Sequence, residues 1–168
     1  MYLLKVESGN DRSDPVLLGF DASVEFQPNW INLPKRIKSG IIYNLLHKLN
    51  MLESPLNNNS VFNYSDLVEK ALFYKIPDYK YYRCITPSWD NSARKKERAH
   101  IFKYSTPEAY GKWLENVVQT FMPYSEEENF LFINAWNEWA EGNHLEPCQR
   151  WGTEYLKVTR EILRRYNN

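Results

Sequence analysis

Short apolar runs that stop at an acid or at turn residues alternate along this chain with segments whose apolar residues recur every three to four positions. Tyr2 to Val6 runs into Glu7-Ser8-Gly9-Asn10, and Asp21 to Phe26 is closed by Gln27-Pro28-Asn29. Tyr79 to Ile85 and Phe130 to Ala135 have the same character. Each reads as a strand. Between them Leu67, Val68, Ala71 and Leu72 share a helical face that Ser65 caps and Pro77 ends. A second helix opens at Thr106-Pro107 and carries Tyr110, Trp113, Leu114, Val117, Val118 and Phe121 on one side. The last shows Trp151, Tyr155, Val158, Ile162 and Tyr166. The long polar stretch after Asn29, including Asn57-Asn58-Asn59-Ser60, reads as a loop holding a short helix.

Strands that alternate with amphipathic helices predict parallel βαβ units, with every strand's C-terminal end on one rim. Glu7, Glu25, Asp90, Glu138 and Glu141 then lie at or just past strand ends, where a (β/α) barrel builds its site. Any one of them can equally be a helix cap. A closed (β/α)8 barrel takes about 250 residues and eight strands. The fold expected for residues 1–168 is therefore one α/β domain, about four βα units making up half of a (β/α)8 TIM-like barrel.

The 168 residues carry 21 Lys plus Arg against 21 Asp plus Glu, so no overall field draws the chain to nucleic acid or an anionic membrane. The basic run from Arg94 to Arg98 is interrupted by Glu97 and reads as a solvated face. No apolar run is long enough to span a bilayer or to act as a signal peptide. Cys84 and Cys148 are far apart and lack metal-ligand spacing, which suits a reducing, cytoplasmic setting. Aromatic residues make up 15% of a chain whose mean hydropathy is only −0.63. Such rings serve cores, interfaces and sugar-stacking clefts alike.

The densest chemistry is in Trp136-Asn137-Glu138-Trp139-Ala140-Glu141-Gly142. Chemistry at an acetal needs one carboxyl to move a proton at the bridging oxygen and a second to activate the nucleophile. On an extended strand Glu138 and Glu141 would point to opposite faces, so they can share a substrate only if the chain turns at Trp139-Ala140, which Gly142 permits. Trp136 and Trp139 offer stacking faces, and Asn137 a hydroxyl partner. The alternative is that the tryptophans are core and the glutamates caps. Around this centre, Asp90, Asn91 and Arg94 make a possible sugar clamp or a loop closed by an ion pair, with Trp89 beside them as a further candidate substrate contact. His144 could reach the cleft, and Glu25 could face it. Trp30 is either a stacking platform or a loop cover.

The segment from Phe132 to Pro147 (FINAWNEWAEGNHLEP) resembles the signature of the WbsX-type proteins of bacterial polysaccharide gene clusters, which are usually labelled glycosyltransferases. These are similar in turn to glycoside hydrolase family 99, the endo-α-mannosidases and endo-α-mannanases. Gly19 to Pro28 and Pro87 to Arg94 resemble further segments of the same family, in the same order, and Cys148 departs from it where an acid is usual. The resemblance implies that Glu138 deprotonates a sugar 2-hydroxyl, which attacks the anomeric carbon to give a 1,2-anhydro sugar. It implies that Glu141 serves as general acid and then general base, with retention of configuration. No cofactor or metal is required, and the chain has no Gly-rich phosphate loop. The implied partner is an oligo- or polysaccharide of the cell surface, processed by a hydrolase or a transferase. A non-catalytic glycan-binding fragment, awaiting an N-terminal half-barrel or associating with itself, is the competing expectation.

Overall fold

In the computed structural model, which describes residues 1–37, 40, 45, 48, 49, 58–95 and 97–166, all four expected apolar runs contain strands, though shorter ones. Strand β1 spans Leu4–Glu7, β2 Ala22–Glu25, β3 Ser60–Asn63, β4 Tyr81–Tyr82 and β5 Cys84–Ile85. These are followed by β6 (Trp89–Asp90), β7 (His100–Lys103), β8 (Phe132–Ile133), β9 (Asn137–Glu138) and β10 (Asn143–His144). The helices are α1 (Tyr64–Leu72), α2 (Pro107–Thr120) and α3 (Glu154–Tyr166). Most of the polar stretch expected to hold a short helix, His47 included, lies outside the described residues.

The parallel register is the expected one. β1 pairs with β2 and β2 with β4, while β5 pairs with β8, all in parallel. Arg83 joins β4 to β5, and its carbonyl accepts from Phe132 N at 3.0 Å, so the four segments stand side by side in sequence order. Among the described residues the row does not close into a barrel. A second sheet, β3-β7-β6, was not foreseen, and in it β6 runs antiparallel to β7.

Two helix starts follow from capping. Thr106 Oγ1 accepts from Ala109 N at 3.2 Å, with Pro107 at the first helical position, as the sequence suggested. The start of α1 differs: Asn63 is the cap, its Oδ1 accepting from Ser65 N at 3.2 Å, and Ser65 lies inside the helix. Asn competes well with Ser at this position, and Asn63 ends a strand already in extended geometry.

Trp113, Tyr110, Leu114 and Val117 of α2 are fully buried between Leu67, Val68 and Ala71 of α1 and Tyr155 and Ile162 of α3. Gly111 lets α2 and α3 approach, since a Cβ there would meet Val158 Cγ1 at 2.6 Å. That contact explains a residue that costs a helix interior about 1 kcal/mol. No described helix is long and apolar enough to cross a membrane.

The two faces of the parallel row differ. One carries Ala22, Val24 and Tyr82 with Leu4, Phe121 and Phe132 packed on them. The other carries a buried polar network. Glu25 accepts from Arg83 Nε at 2.9 Å, Gln27 Nε2 at 2.7 Å and Cys84 N at 3.2 Å, and Arg83 also donates to the Ala71 carbonyl of α1. Glu7, in register with Glu25, takes Arg12 at 2.6 Å and the Tyr79 hydroxyl at 2.7 Å. Both acids end strands as expected, yet their carboxylates are already saturated by the chain itself.

Candidate active site

After β8 the chain folds back on itself. β9 and β10 form an antiparallel hairpin in which Asn137 faces His144 and Glu138 faces Asn143. Its base is closed by Leu145 N and Glu146 N, each donating to the Trp136 carbonyl at 2.9 Å. Its tip is a short 3-10 turn, Trp139–Glu141, ended by Gly142 at φ +54°. The glycine is required twice. Its φ is left-handed, and a Cβ would sit 2.9 Å from the Asp90 carbonyl oxygen and 3.0 Å from Asp90 Cβ. Ser88 Oγ donates to the Gly142 carbonyl at 2.6 Å, and Thr86 Oγ1 lies 2.9 Å from Asn143 Oδ1. The hairpin is thereby fixed to the segment between β5 and β6.

We expect Gly142→Ala to destabilise the fold by about 1–3 kcal/mol from left-handed strain and the Asp90 clash. Thermal unfolding checks the loss, and a change in indole emission would report movement of Trp136 and Trp139.

The turn sends Glu141 into a cavity of about 540 Å³ whose wall includes Phe26, Trp30, Trp89, Asn91 and Arg94. Its side chain is only 13% exposed, and it pairs with Arg94, which is 55% exposed. Burial pushes the Glu141 carboxyl above its ordinary value; Arg94 pulls it down, Glu138 adds to the rise, and Lys95 opposes it. The upward push wins because the acid is sunk while its cationic partner lies in water. Glu138 is thus close enough to act on Glu141 electrostatically, and it is itself exposed on the hairpin.

The expected clamp is resolved into separate roles. Asp90 Oδ1 caps the short turn Asn91–Ala93 by accepting from Ser92 N at 2.9 Å. Asn91 is 3% exposed, and its Oδ1 accepts from His100 N at 2.8 Å, tying β6 to β7. Arg94 alone of the three reaches a catalytic candidate. Trp89 is a core residue, 3% exposed and edge-on to Phe26 and Trp30 at 6.3 and 5.2 Å between centroids, although it also forms cavity wall.

Trp136 and Trp139 are about half exposed, at 52% and 50%, and Asn137 is exposed between Trp136 and Glu138. One face of Trp139 is covered by His144, stacked at 4.0 Å, and its Nε1 donates to Glu146 at 3.0 Å. His144 itself lines a different cavity, together with Gly142 and Asp90. The structure therefore brings together Glu138, Glu141, Arg94, Asn91 and Trp89, and leaves Glu25 and His144 apart from them. Sequence reasoning gave His100 no role; it lies 5.1 Å from Trp30 and lines the Glu141 cavity. The signal was the short apolar run Ile101-Phe102 between basic flanks, which marks the unforeseen strand that carries His100.

Two proteins of Xanthomonas campestris pv. campestris strains, each described as "Uncharacterized protein WxcX", are 35% and 34% identical to this chain over 158 residues. The matches cover 94% of this chain and 21% of each relative, so the chain spans about a fifth of their length. A solved structure described as "Glycoside hydrolase-like protein" superposes with a TM-score of 0.53 at 16% identity, over 96% of this chain and 44% of that one, a likeness of fold. The family model described as "Glycosyltransferase WbsX" matches residues 1–159, and the chain belongs to that family.

Proposed function

We propose that the chain is the C-terminal half of a (β/α)8 barrel from a carbohydrate-active enzyme, with Glu138 and Glu141 as its carboxylate pair. The observation that carries this reading is the half-sunk Glu141, held above its ordinary pKa beside a second acid at the mouth of a cavity with aromatic walls. A carboxyl of that kind retains its proton closer to neutrality, as a general acid must. The four parallel segments in sequence order and the glycoside-hydrolase-like fold support the half-barrel. So does the apolar face left open around Tyr2 and Phe130, each 43% exposed, which an N-terminal half would cover.

In the proposed reaction Glu138 takes the proton of the 2-hydroxyl as that oxygen attacks the anomeric carbon. Glu141 gives its proton to the departing glycosidic oxygen. Glu141 then takes a proton from the incoming hydroxyl, which opens the 1,2-anhydro ring, and Glu138 returns the first proton to the 2-oxygen. Two inversions give retention. Water as the incoming group makes a hydrolase, and a sugar hydroxyl makes a transferase. Family membership favours substrates from bacterial cell-surface polysaccharide.

A second reading, glycan binding without turnover, is favoured by the half-exposed Trp136 and Trp139, which offer stacking surface on the hairpin itself. A saccharide screen that follows both binding and product formation, with Glu138→Gln/Glu141→Gln as control, separates the two. Turnover abolished in the control establishes the carboxylate pair; turnover that persists sinks it; binding without turnover in either protein selects the second reading.

A further inference from the structure

The cavity lined by His144, about 400 Å³, has Asp90 and Gly142 in its wall, shares Trp89 with the Glu141 cavity and has no part in the reaction above. Its wall brings together Lys103 at the end of β7, Arg150 and Trp151 before α3, and the hydroxyl residues Ser88 and Ser105. The Arg150 guanidinium lies 4.9 Å from the Trp151 ring centre. Among the described residues neither Lys103 nor Arg150 takes part in a salt bridge, whereas the Arg94, Arg83 and Arg12 cations each have a carboxylate. Trp89 stands between the two cavities, and its buried Nε1–H has no acceptor. Folded proteins seldom leave such a donor unmet.

Charge reinforces the picture. Ser105 and Trp151 precede the first turns of α2 and α3, whose N-termini carry partial positive charge. The opposing acids are Asp90 in the cavity wall, whose Oδ1 is engaged by Ser92 N at 2.9 Å, and Glu108 and Glu154 in those turns, of which Glu154 is already paired with Lys157 at 2.7 Å. Two cations without a carboxylate in a salt bridge, a flat indole and two hydroxyls fit one ligand chemistry. A neutral sugar would use the ring and hydroxyls and leave the cations idle. A small inorganic anion would use the cations and leave Trp151 idle.

We propose that this cavity is a subsite for an acidic sugar residue, one bearing a carboxylate or a phosphate, with its ring against Trp151 and its acid group on Arg150 and Lys103. The assignment rests on the carbohydrate reading of the chain and not on turnover at Glu141.

The test is calorimetric titration of the 168-residue chain with a galacturonate trisaccharide, a neutral galactose trisaccharide, glucose 1-phosphate and inorganic phosphate. An acidic sugar should bind about ten-fold more tightly than the neutral one at low ionic strength, with the gap closing as salt is added. Lys103→Gln/Arg150→Gln should erase the preference, with neutral-sugar affinity and melting temperature unchanged because both side chains are exposed. Whether galacturonate or glucose 1-phosphate shows the preference identifies the acid group. Equal affinity for neutral and acidic sugars overturns the proposal, as does a preference that survives the double replacement. Inorganic phosphate binding as tightly as either acidic sugar also overturns it. The preference should persist in Glu141→Gln, so failure of the catalytic reading and failure of this one give different results.

Discussion

Glu141→Gln is expected to lower turnover about 100- to 10,000-fold while leaving the fold intact, the range that loss of a positioned general acid produces. Gln keeps the shape of the side chain and one acceptor, but it has no proton to give to a leaving oxygen. Stability should move the other way. The folded chain holds this carboxyl above its ordinary value through burial, so its favourable contribution is complete at acid pH and is lost as pH rises through the folded pKa. At neutral pH the wild type carries that penalty and the Gln variant does not. The variant should therefore melt at the same temperature or higher at neutral pH, with the difference vanishing below the carboxyl range. Arg94 gives the complementary result. It holds the Glu141 pKa down, so Arg94→Gln should carry the alkaline limb of the activity profile to higher pH. A limb that stays in place would mean that Glu141 is not the acid.

Glu25→Ala should do the reverse: a large loss of stability. Glu25 and Arg83 have side chains 1% and 4% exposed, and removing the acid leaves a buried guanidinium with only the Ala71 carbonyl. Breaking such a pair costs about 3–5 kcal/mol. For a chain of this size that is a fall of roughly 10 °C or more in melting temperature. Glu25→Leu/Arg83→Met, which removes both charges and roughly keeps the volume, should recover part of the loss. Unchanged melting with weakened saccharide binding would return Glu25 to the substrate.

The contrast between these two acids shows where sequence reading stops. Both end apolar runs, and nothing in either local pattern says which side its carboxylate will face. Glu25 is claimed by Arg83, fifty-eight positions away in sequence, and that meeting depends on strand register. The turn that aims Glu141 lies within its own hairpin and could be inferred from Gly142, although its partner Arg94 comes from the segment after β6. The parallel row and the three helices were legible because periodicity and capping are local signals. The β3-β7-β6 sheet was not, since β3 opens at the end of a polar asparagine-rich stretch and β6 emerges directly from a loop. The bond from His100 N to Asn91 was hidden for the same reason, since it exists only once β6 lies against β7, whereas Asp90 caps its own turn at Ser92 N.

The hairpin has a consequence for how such a domain can be divided. Asn137 to His144 pair within eight consecutive residues, so the relative placement of Glu138 and Glu141 is a short-range property of the polypeptide. Such elements form in microseconds, ahead of long-range strand pairing. Any division of the chain outside residues 137–144 leaves both glutamates on one piece in the same hairpin geometry, whatever surrounding walls it removes.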